Sequence, residues 1–581
     1  MFYGVENTPI NHFNHKIIMF IPTTKSELKK LGWDNPEIIL VTGDSYIDSP
    51  FCGVAVIGKV LINAGFRVAI IAQPDIKSGN DISRLGEPEL FWGVTGGCID
   101  SMVANYTATK KRRQKDDYTP GGKNERRPDR AVIAYTNLIK SNFKNSVPIV
   151  LGGLEASLRR IAHYDFWSNK VRRSILFDAK ADYILYGMAE KSAAKFAECL
   201  KRGEDPTKLR GICYISKNIP ENATPLPAFS EVQKDKRAFT EMFHIFYRNN
   251  NPITADKIYQ QYDNRFLVQT PPETYLTTSE LDTVFDTGFE NEQHPFYEKQ
   301  GKVKALETIR FSITSHRGCY GECNFCSIAV HQGQTVRWRS IKSIISEVKR
   351  ITKHPKFKGI INDVGGPTAN MYGSECEKKL NRGPCEDKRC IYPEVCRNLH
   401  HTHKPELDLL RELRRIPGIK KIFVASGIRY DLIDADHQYG DKYIREIATN
   451  HVSGQLKVAP EHSEKKVLDK MGKPGIKSLL KFREKFNRIS QSLHKKQFLT
   501  YYMIAAHPGC NDNDMKKLKQ FVSKQLKMRP EQIQVFTPTP STYSTLMYWT
   551  EEDPFTQKTC FVEKNIDRKN RQKRTLLDSG Y

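Results

Sequence analysis

The chain has 581 residues, 39% of them hydrophobic and 27% charged, with a formal net charge of +25. That length exceeds what one core organises and points to roughly two to four domains. The apolar runs are no longer than buried strands, Ile38 to Val41 and Val68 to Ala72 among them, which excludes a chain that spans a membrane by apolar helices. The opening stretch Met1 to Phe13 lacks the basic-then-apolar layout of a secretory leader, so a cytoplasmic protein is expected. In that reducing compartment thirteen cysteines argue for metal ligation rather than disulfides. The positive charge attracts polyanions, RNA first among them, although no RNA-binding motif is readable.

From residue 37 short apolar strands alternate with amphipathic helices. The strands are Glu37 to Gly43, Arg67 to Ala72, Leu90 to Gly96, Val147 to Gly153 and Ala181 to Gly187, with Gly53 to Ala64 as the first connecting helix. Near-continuous apolar strands between helices predict a parallel sheet covered on both faces, a doubly wound Rossmann-like domain over residues 1–216. Ligands of such sheets sit beyond the carboxyl ends of the strands, and those ends carry Gly43-Asp44, Gly96-Gly97, Gly152-Gly153 and Gly187. The layout resembles the cobalamin-binding domains that precede many radical S-adenosylmethionine (SAM) cores. That resemblance implies cobalamin, yet the Asp-x-His-x-x-Gly motif that supplies its cobalt ligand is missing: the loop reads Asp44-Ser45-Tyr46-Ile47-Asp48-Ser49-Pro50-Phe51-Cys52-Gly53. An empty or repurposed Rossmann-like domain is the competing expectation.

Lys110 to Lys123, continuing to Arg130, is a basic turn-rich loop, read either as an anion-binding lid or as a solvated surface loop. Arg159 to Trp167 is expected on a helix that opens after Gly152-Gly153 and could turn His163, Tyr164, Asp165 and Trp167 toward the same crevice. Residues 217–300 show no strong alternation. An amphipathic stretch from Phe239 to Asn249, a helix from Thr254 to Asp263 and the prolines of Thr270-Pro271-Pro272-Glu273 read as a linker and helical approach.

The catalytic core is expected over residues 301–545. It opens on a strand, Ile309 to Thr314, followed by Arg317-Gly318-Cys319-Tyr320-Gly321-Glu322-Cys323-Asn324-Phe325-Cys326. Cys319, Cys323 and Cys326 are separated by three residues and then by two, so one loop can hold three thiolates around a single centre. Thiolates select iron–sulfur clusters, zinc or cuprous ion over hard cations. A structural zinc or an ordinary four-iron cluster takes four protein ligands, and this loop supplies three, which leaves one position for chemistry. A zinc loop that borrows a distant fourth ligand is the competing reading. The spacing, with Phe325 just before the last cysteine, resembles the signature of the radical SAM enzymes. The resemblance implies a [4Fe-4S] cluster whose fourth iron binds SAM, with Phe325 beside the cofactor.

Beyond the loop, Ser340 is set to cap a helix carrying Ile341, Ile344, Ile345, Val348 and Ile351 at helical spacing. Strands at Gly359 to Val364, Lys421 to Gly427, Gln455 to Pro460, Phe498 to Ala506 and Ile533 to Phe536 then alternate with helices at Pro405 to Arg415, Lys442 to Asn450, Ile476 to Ile489 and Met515 to Leu526. Repeated βα units predict an incomplete parallel (βα) barrel of the radical SAM type, with site residues at the strand carboxyl ends. By the same resemblance Gly365 and Gly366 fall where the superfamily contacts the SAM amino group, although Pro367 stands in place of the usual acid. Ser426 and Arg429 suit the ribose hydroxyls or the SAM carboxylate, and Lys457, Glu461 and His507 end the next two strands.

Taken together, His163-Tyr164-Asp165-Phe166-Trp167, His316-Arg317-Gly318-Cys319, His331-Gln332-Gly333, the run Gly365 to Gly373, Val458-Ala459-Pro460-Glu461-His462 and Phe536-Thr537-Pro538-Thr539-Pro540 resemble the YgiQ-type radical SAM proteins over nearly the whole chain. The match departs at Ser49, where members read Asp-His-Pro. The resemblance implies one [4Fe-4S] cluster, SAM, an electron donor such as a flavodoxin or ferredoxin, and an unassigned substrate.

Cys376, Cys385, Cys390 and Cys396 form a second candidate metal site for zinc or another cluster, with four independent thiols as the alternative. Residues 546–581 are a basic C-terminal extension, helical or disordered. Two functions follow. One is a radical SAM enzyme acting on an unassigned substrate, RNA and protein modification among the candidates; the other is a non-catalytic, metal-stabilised RNA-binding protein.

Overall fold

Aliphatic and β-branched residues build the first five strands: β1 (Ile38–Thr42), β2 (Val68–Ala72), β3 (Phe91–Thr95), β4 (Ile149–Gly152) and β5 (Tyr183–Leu185). They run parallel in the order β2-β1-β3-β4-β5. Alternate residues of β1 enter different cores. Ile38 and Leu40 pack with Val54 and Phe196, whereas Ile39 and Val41 pack with Val132 and Tyr135. That is the period-two geometry of a strand buried on both faces, and each such side chain contributes about 1.5–3 kcal/mol by leaving water. The order reverses between β1 and β3, which opens a crevice there. The computed structural model describes residues 20–528, 530 and 533–577, so the expectation drawn from Met1 to Phe13 lies outside the described residues.

The sheet does not end at residue 216. β6 (Ile212–Ser216), β7 (Ala223–Leu226), β8 (Lys257–Tyr262) and β9 (Arg265–Gln269) extend it in the order β5-β6-β9-β8-β7. β6 is antiparallel to β5, and β9 is antiparallel to both of its neighbours. Much of the stretch expected as a linker therefore completes the N-terminal sheet, and the helix expected at Thr254 to Asp263 is replaced by the hairpin β8–β9. The inward side chains of β8 are Ile258, Gln260 and Tyr262. Gln260 is wholly buried and bonded to the Pro227 carbonyl and the Ala162 N–H, so a polar residue interrupts the apolar alternation that would mark a strand. Arg159 to Trp167 also differs from expectation. The helix Gly153–Leu158 stops short of it, and His163–Asp165 pairs antiparallel with Lys170–Arg172. There Asp165 accepts from Arg130 and Ser168, and Tyr164 stacks on Trp549 at 4.9 Å instead of facing the crevice.

The second half is built from β10 (Ser312–Thr314), β11 (Ile360–Ile361), β12 (Asp363–Gly365), β13 (Lys421–Ile422), β14 (Gln455–Glu461), β15 (Phe498–Ala505) and β16 (Ile533–Val535). Every pairing among them is parallel: β10 with β12, β11 with β13, and β14 with β15 with β16. A parallel bridge between Ile428 and Val458 joins the groups into an open barrel. Ser340 caps the helix Ile341–Ile351 by accepting from the Ser343 N–H at 3.1 Å, and Ile344, Val348 and Ile351 are buried beneath it. The strand expected from Ile309 begins at Ser312, because Leu306–Ile309 closes a helical turn. The basic tail folds back as the helix Ile566–Leu577; its Gln572 accepts from the Ala506 N–H at the end of β15, and Lys569 is buried against the Tyr548 hydroxyl. Among the described residues no helix is long and apolar enough to cross a membrane.

Candidate active site

A cavity of about 480 Å³ lies where the carboxyl ends of β1, β3, β4 and β5 face the open barrel. Its size is that of a small-molecule site. Thr42, Asp44, Cys52, Cys98 and Gly153 form the sheet wall, and Thr314, His316, Gly365, Gly366 and Ser426 the barrel wall. Gly153 is in the left-handed region at φ +76°, and a Cβ there would sit 2.3 Å from the Thr95 hydroxyl, so only glycine fits. The halves are tied across the cavity by a buried Arg317–Glu190 ion pair and by the Ser157 hydroxyl, which meets the His331 ring and the Gly187 N–H.

Behind the sheet wall, Arg127 donates to Asp44 at 2.6 Å and to Asp116 at 2.9 Å, with all three side chains buried. Burial pushes the Asp44 carboxyl up, and the guanidinium of Arg127 and the Cys98 N–H at 2.6 Å oppose it. The basic loop from Lys110 to Arg130 is thus pinned through Arg127 to the end of β1.

Cys319, Cys323 and Cys326 sit partly buried on one loop. The chain reverses at Gly318 (φ +78°) and Glu322 (φ +44°). Gly321 lies between two of the sulfurs, its N–H 3.3 Å from the Cys319 Sγ, and a Cβ there would stand 3.7 Å from the Cys323 Sγ. Among the described residues no three His, Cys, Asp or Glu side chains form a group that could hold a single metal ion, and the Cys319 and Cys323 sulfurs stand on either side of Gly321. Burial raises the Cys319 thiol and pushes Cys326 up to about 12. Thiols so placed ionise when a metal displaces their protons, and a soft donor set of three fits an iron–sulfur cluster with one open corner.

Arg429 completes the loop's surroundings. Its guanidinium lies 3.7 Å from the Cys323 Sγ and is held by Asp431, while Asn370 bonds both the N–H and the carbonyl of Arg429. The Thr368 hydroxyl is 3.8 Å from the Cys319 Sγ, and the Thr368 carbonyl accepts from the His316 Nε2–H at 2.9 Å. Gly366 must be glycine because a Cβ would come within 2.6 Å of His316. Asp363 accepts from the Ala425 and Ser426 N–H groups and from the Ser426 hydroxyl, which orients Ser426 toward the cavity edge.

The other candidates divide. Glu461 is buried near Cys326 and Arg429, strained at φ +68° and paired with Lys473 at 3.6 Å. His507 supports the loop from behind: its Nδ1–H donates to the Pro508 carbonyl, its Nε2 accepts from Ser544, and its ring meets Phe325 edge-on at 6.2 Å. Both ring nitrogens are therefore spent, and burial holds the imidazole neutral at about 3. Lys457 is exposed on the face of β14 opposite the buried Leu456 and Val458, and no described contact links it to the sulfurs. The reading of strand ends and motifs ran through Asp363, Thr368, Asn370 and Asp431 without singling them out as site residues. Nor did it single out Asn324, which bonds Lys470, Met471 and Ser544 and so clamps the cysteine loop. Asp431 follows Arg429 by two residues and was the one legible signal.

Residues 20–312 match the family model described as Radical SAM N-terminal. A UPF0313 protein of Fusobacterium nucleatum is 55% identical over 555 residues, covering 95% of this chain and 98% of its own length. A UPF0313 protein of Thermotoga maritima is 48% identical, covering 96% and 98%. Among solved structures, the radical SAM methyltransferase TsrM of Kitasatospora setae aligns over 87% of this chain and 74% of its own at 13% identity and a TM-score of 0.46. The cobalamin-dependent SAM radical enzyme OxsB aligns over 89% of this chain and 56% of its own at 13% identity and a TM-score of 0.49.

Proposed function

This chain belongs to the UPF0313 family of radical SAM proteins, and on that premise we propose that Cys319, Cys323 and Cys326 hold a [4Fe-4S] cluster that cleaves SAM to start a reaction on a substrate lodged between the two halves. One observation carries the reading. The three-sulfur loop borders the cavity: Gly366 and Pro367 line it, and the next residue, Thr368, touches Cys319. A cluster held by Cys319, Cys323 and Cys326 would supply the electron for reductive cleavage of the SAM sulfonium.

The chain's own groups prepare that site. Arg429 offsets the charge of the thiolates, and Asp431 fixes where it does so. Gly365 and Gly366 let the backbone approach a ligand, and Asp363, by taking the Ser426 hydroxyl hydrogen, leaves that oxygen to accept from a sugar hydroxyl. The neutral His316, lowered to about 4 by burial, buttresses the Thr368 carbonyl and adds no charge. Walls from both halves line the space in which a reactive species would form. The sheet wall offers glycines, hydroxyls and the Cys52 and Cys98 thiols but no imidazole, so a corrinoid there would be held without a histidine from the 44–53 loop. A flavodoxin or ferredoxin is the class of donor that such a cluster accepts electrons from.

Anaerobic reconstitution followed by dithionite and SAM tests the reading. 5′-Deoxyadenosine is expected from the wild type and not from a Cys319→Ala/Cys323→Ala/Cys326→Ala variant. A protein with a full cluster and bound SAM that releases none across a substrate screen would overturn it.

A further inference from the structure

Between Tyr372 and His403 the chain forms one short helix, Glu377–Arg382, and no strand. A segment so long and irregular inside a packed domain needs some other tie. Ile391 and Leu399 supply a small one by packing with Tyr320 and Val336, and the further tie available is sulfur. Cys376, Cys385, Cys390 and Cys396 all line one small cavity of about 10 Å³, the room of a single water-sized sphere. The Cys396 N–H donates to the Cys390 carbonyl at 2.8 Å, which folds these two toward each other, and none of the four is in a disulfide.

The surroundings match the charge of a thiolate centre. Four thiolates around a divalent metal leave a net negative charge, and Lys378, Lys379, Lys388 and Arg389 line the same cavity. The ammonium of Lys379 is almost fully buried, 3.8 Å from the Cys390 Sγ. Its ion-pair partner is the Glu322 carboxylate at 2.6 Å, so the ammonium is held charged beside Cys390, where it favours a thiolate over a neutral thiol.

We propose that Cys376, Cys385, Cys390 and Cys396 bind a thiophilic metal centre that fastens this insertion to the three-sulfur loop. The fastening is direct. Arg389 donates to the Glu322 carbonyl at 2.8 Å and to the Asn324 side-chain oxygen at 2.6 Å, and Lys379 pairs with the Glu322 carboxylate at 2.6 Å. Glu322 and Asn324 are the two neighbours of Cys323. Soft sulfur ligands select zinc or an iron–sulfur cluster over hard cations. Among the described residues the four sulfurs line the cavity without forming a closed ligand set, so binding a metal requires them to draw inward on loading. The inference does not depend on SAM chemistry, and its test removes the first cluster.

The full chain carrying Cys319→Ala, Cys323→Ala and Cys326→Ala is purified anaerobically, and zinc, iron and sulfide are counted. About one zinc, or about four iron with matching sulfide, is expected to remain per chain, the first marking a single ion and the second a cluster. Adding Cys385→Ala and Cys390→Ala is expected to reduce that metal at least tenfold. If the fivefold variant fails to fold, titrating the folded threefold variant with a mercurial reagent should release the metal as these thiols react. A threefold variant at background for both metals, metal content indifferent to Cys385→Ala and Cys390→Ala, or no release on titration would overturn the proposal.

Discussion

The guanidinium of Arg429 stands 3.7 Å from the Sγ of Cys323, with its remaining edge locked to Asp431. It places a cation against the Cys323 sulfur, and it is buried with its carboxylate partner. Strand-end position marked it as a ligand for SAM; its contacts make it first a neighbour of the sulfurs.

Replacing Arg429 with Met would leave Asp431 buried and unpaired, a loss of about 3–5 kcal/mol. Urea unfolding of the metal-free chain should show that loss, and iron retained after reconstitution should fall. Arg429→Met/Asp431→Asn should recover most of the stability, while Arg429→Met alone should give a cluster that titrates at a lower potential than the wild type, because a positive charge is gone and its negative partner is kept. Equal potentials in an EPR-monitored titration would show that Arg429 has no electrostatic role at the cluster.

Asp363 acts through Ser426. Asp363→Ala removes three hydrogen bonds that hold the turn after β13, and with it the orientation of the hydroxyl. SAM affinity measured by equilibrium dialysis should drop about fivefold, the equivalent of roughly one neutral hydrogen bond of about 1 kcal/mol, while iron content stays at the wild-type level. A variant that binds SAM normally would remove Ser426 from the cofactor site.

Arg127 holds two buried carboxylates at the end of β1. Arg127→Met should destabilise the N-terminal half by about 3–5 kcal/mol, read as a lower denaturation midpoint. Asp116→Asn together with Arg127→Met should recover part of it, because one buried charge is then gone as well.

Glu406 gives a pH signature. Burial raises its carboxyl from 4.5 to about 8, with the Tyr443 hydroxyl at 2.7 Å pulling the other way. The folded chain keeps a proton that the unfolded chain releases, so this contribution to stability is complete below pH 4.5 and is lost as the pH rises to about 8. Glu406→Gln should therefore raise Tm relative to the wild type near pH 8 and change it little near pH 5. A wild-type minus variant difference that does not depend on pH would show that Glu406 is ionised in the folded chain.

The chain itself determined whatever depends on near neighbours. The spacing of Cys319, Cys323 and Cys326 places three sulfurs on one loop whatever the rest does, and an apolar, β-branched run as short as Ile38 to Val41 suits a strand buried on both faces. Glycines at the ends of β1, β3, β4 and β5 located the cavity before its walls were known. Only tertiary structure decided what rests on distant partners. β8 and β9 join the sheet because Gln260 finds the Pro227 carbonyl and the Ala162 N–H across the fold, which no local period records. His507 becomes a support because Ser544 meets its second nitrogen, and Arg389, anonymous in a basic loop, reaches Asn324 across 65 residues. Pairings of that kind depend on where loops close in space, and a loop's closure is set by everything packed around it rather than by its own residues.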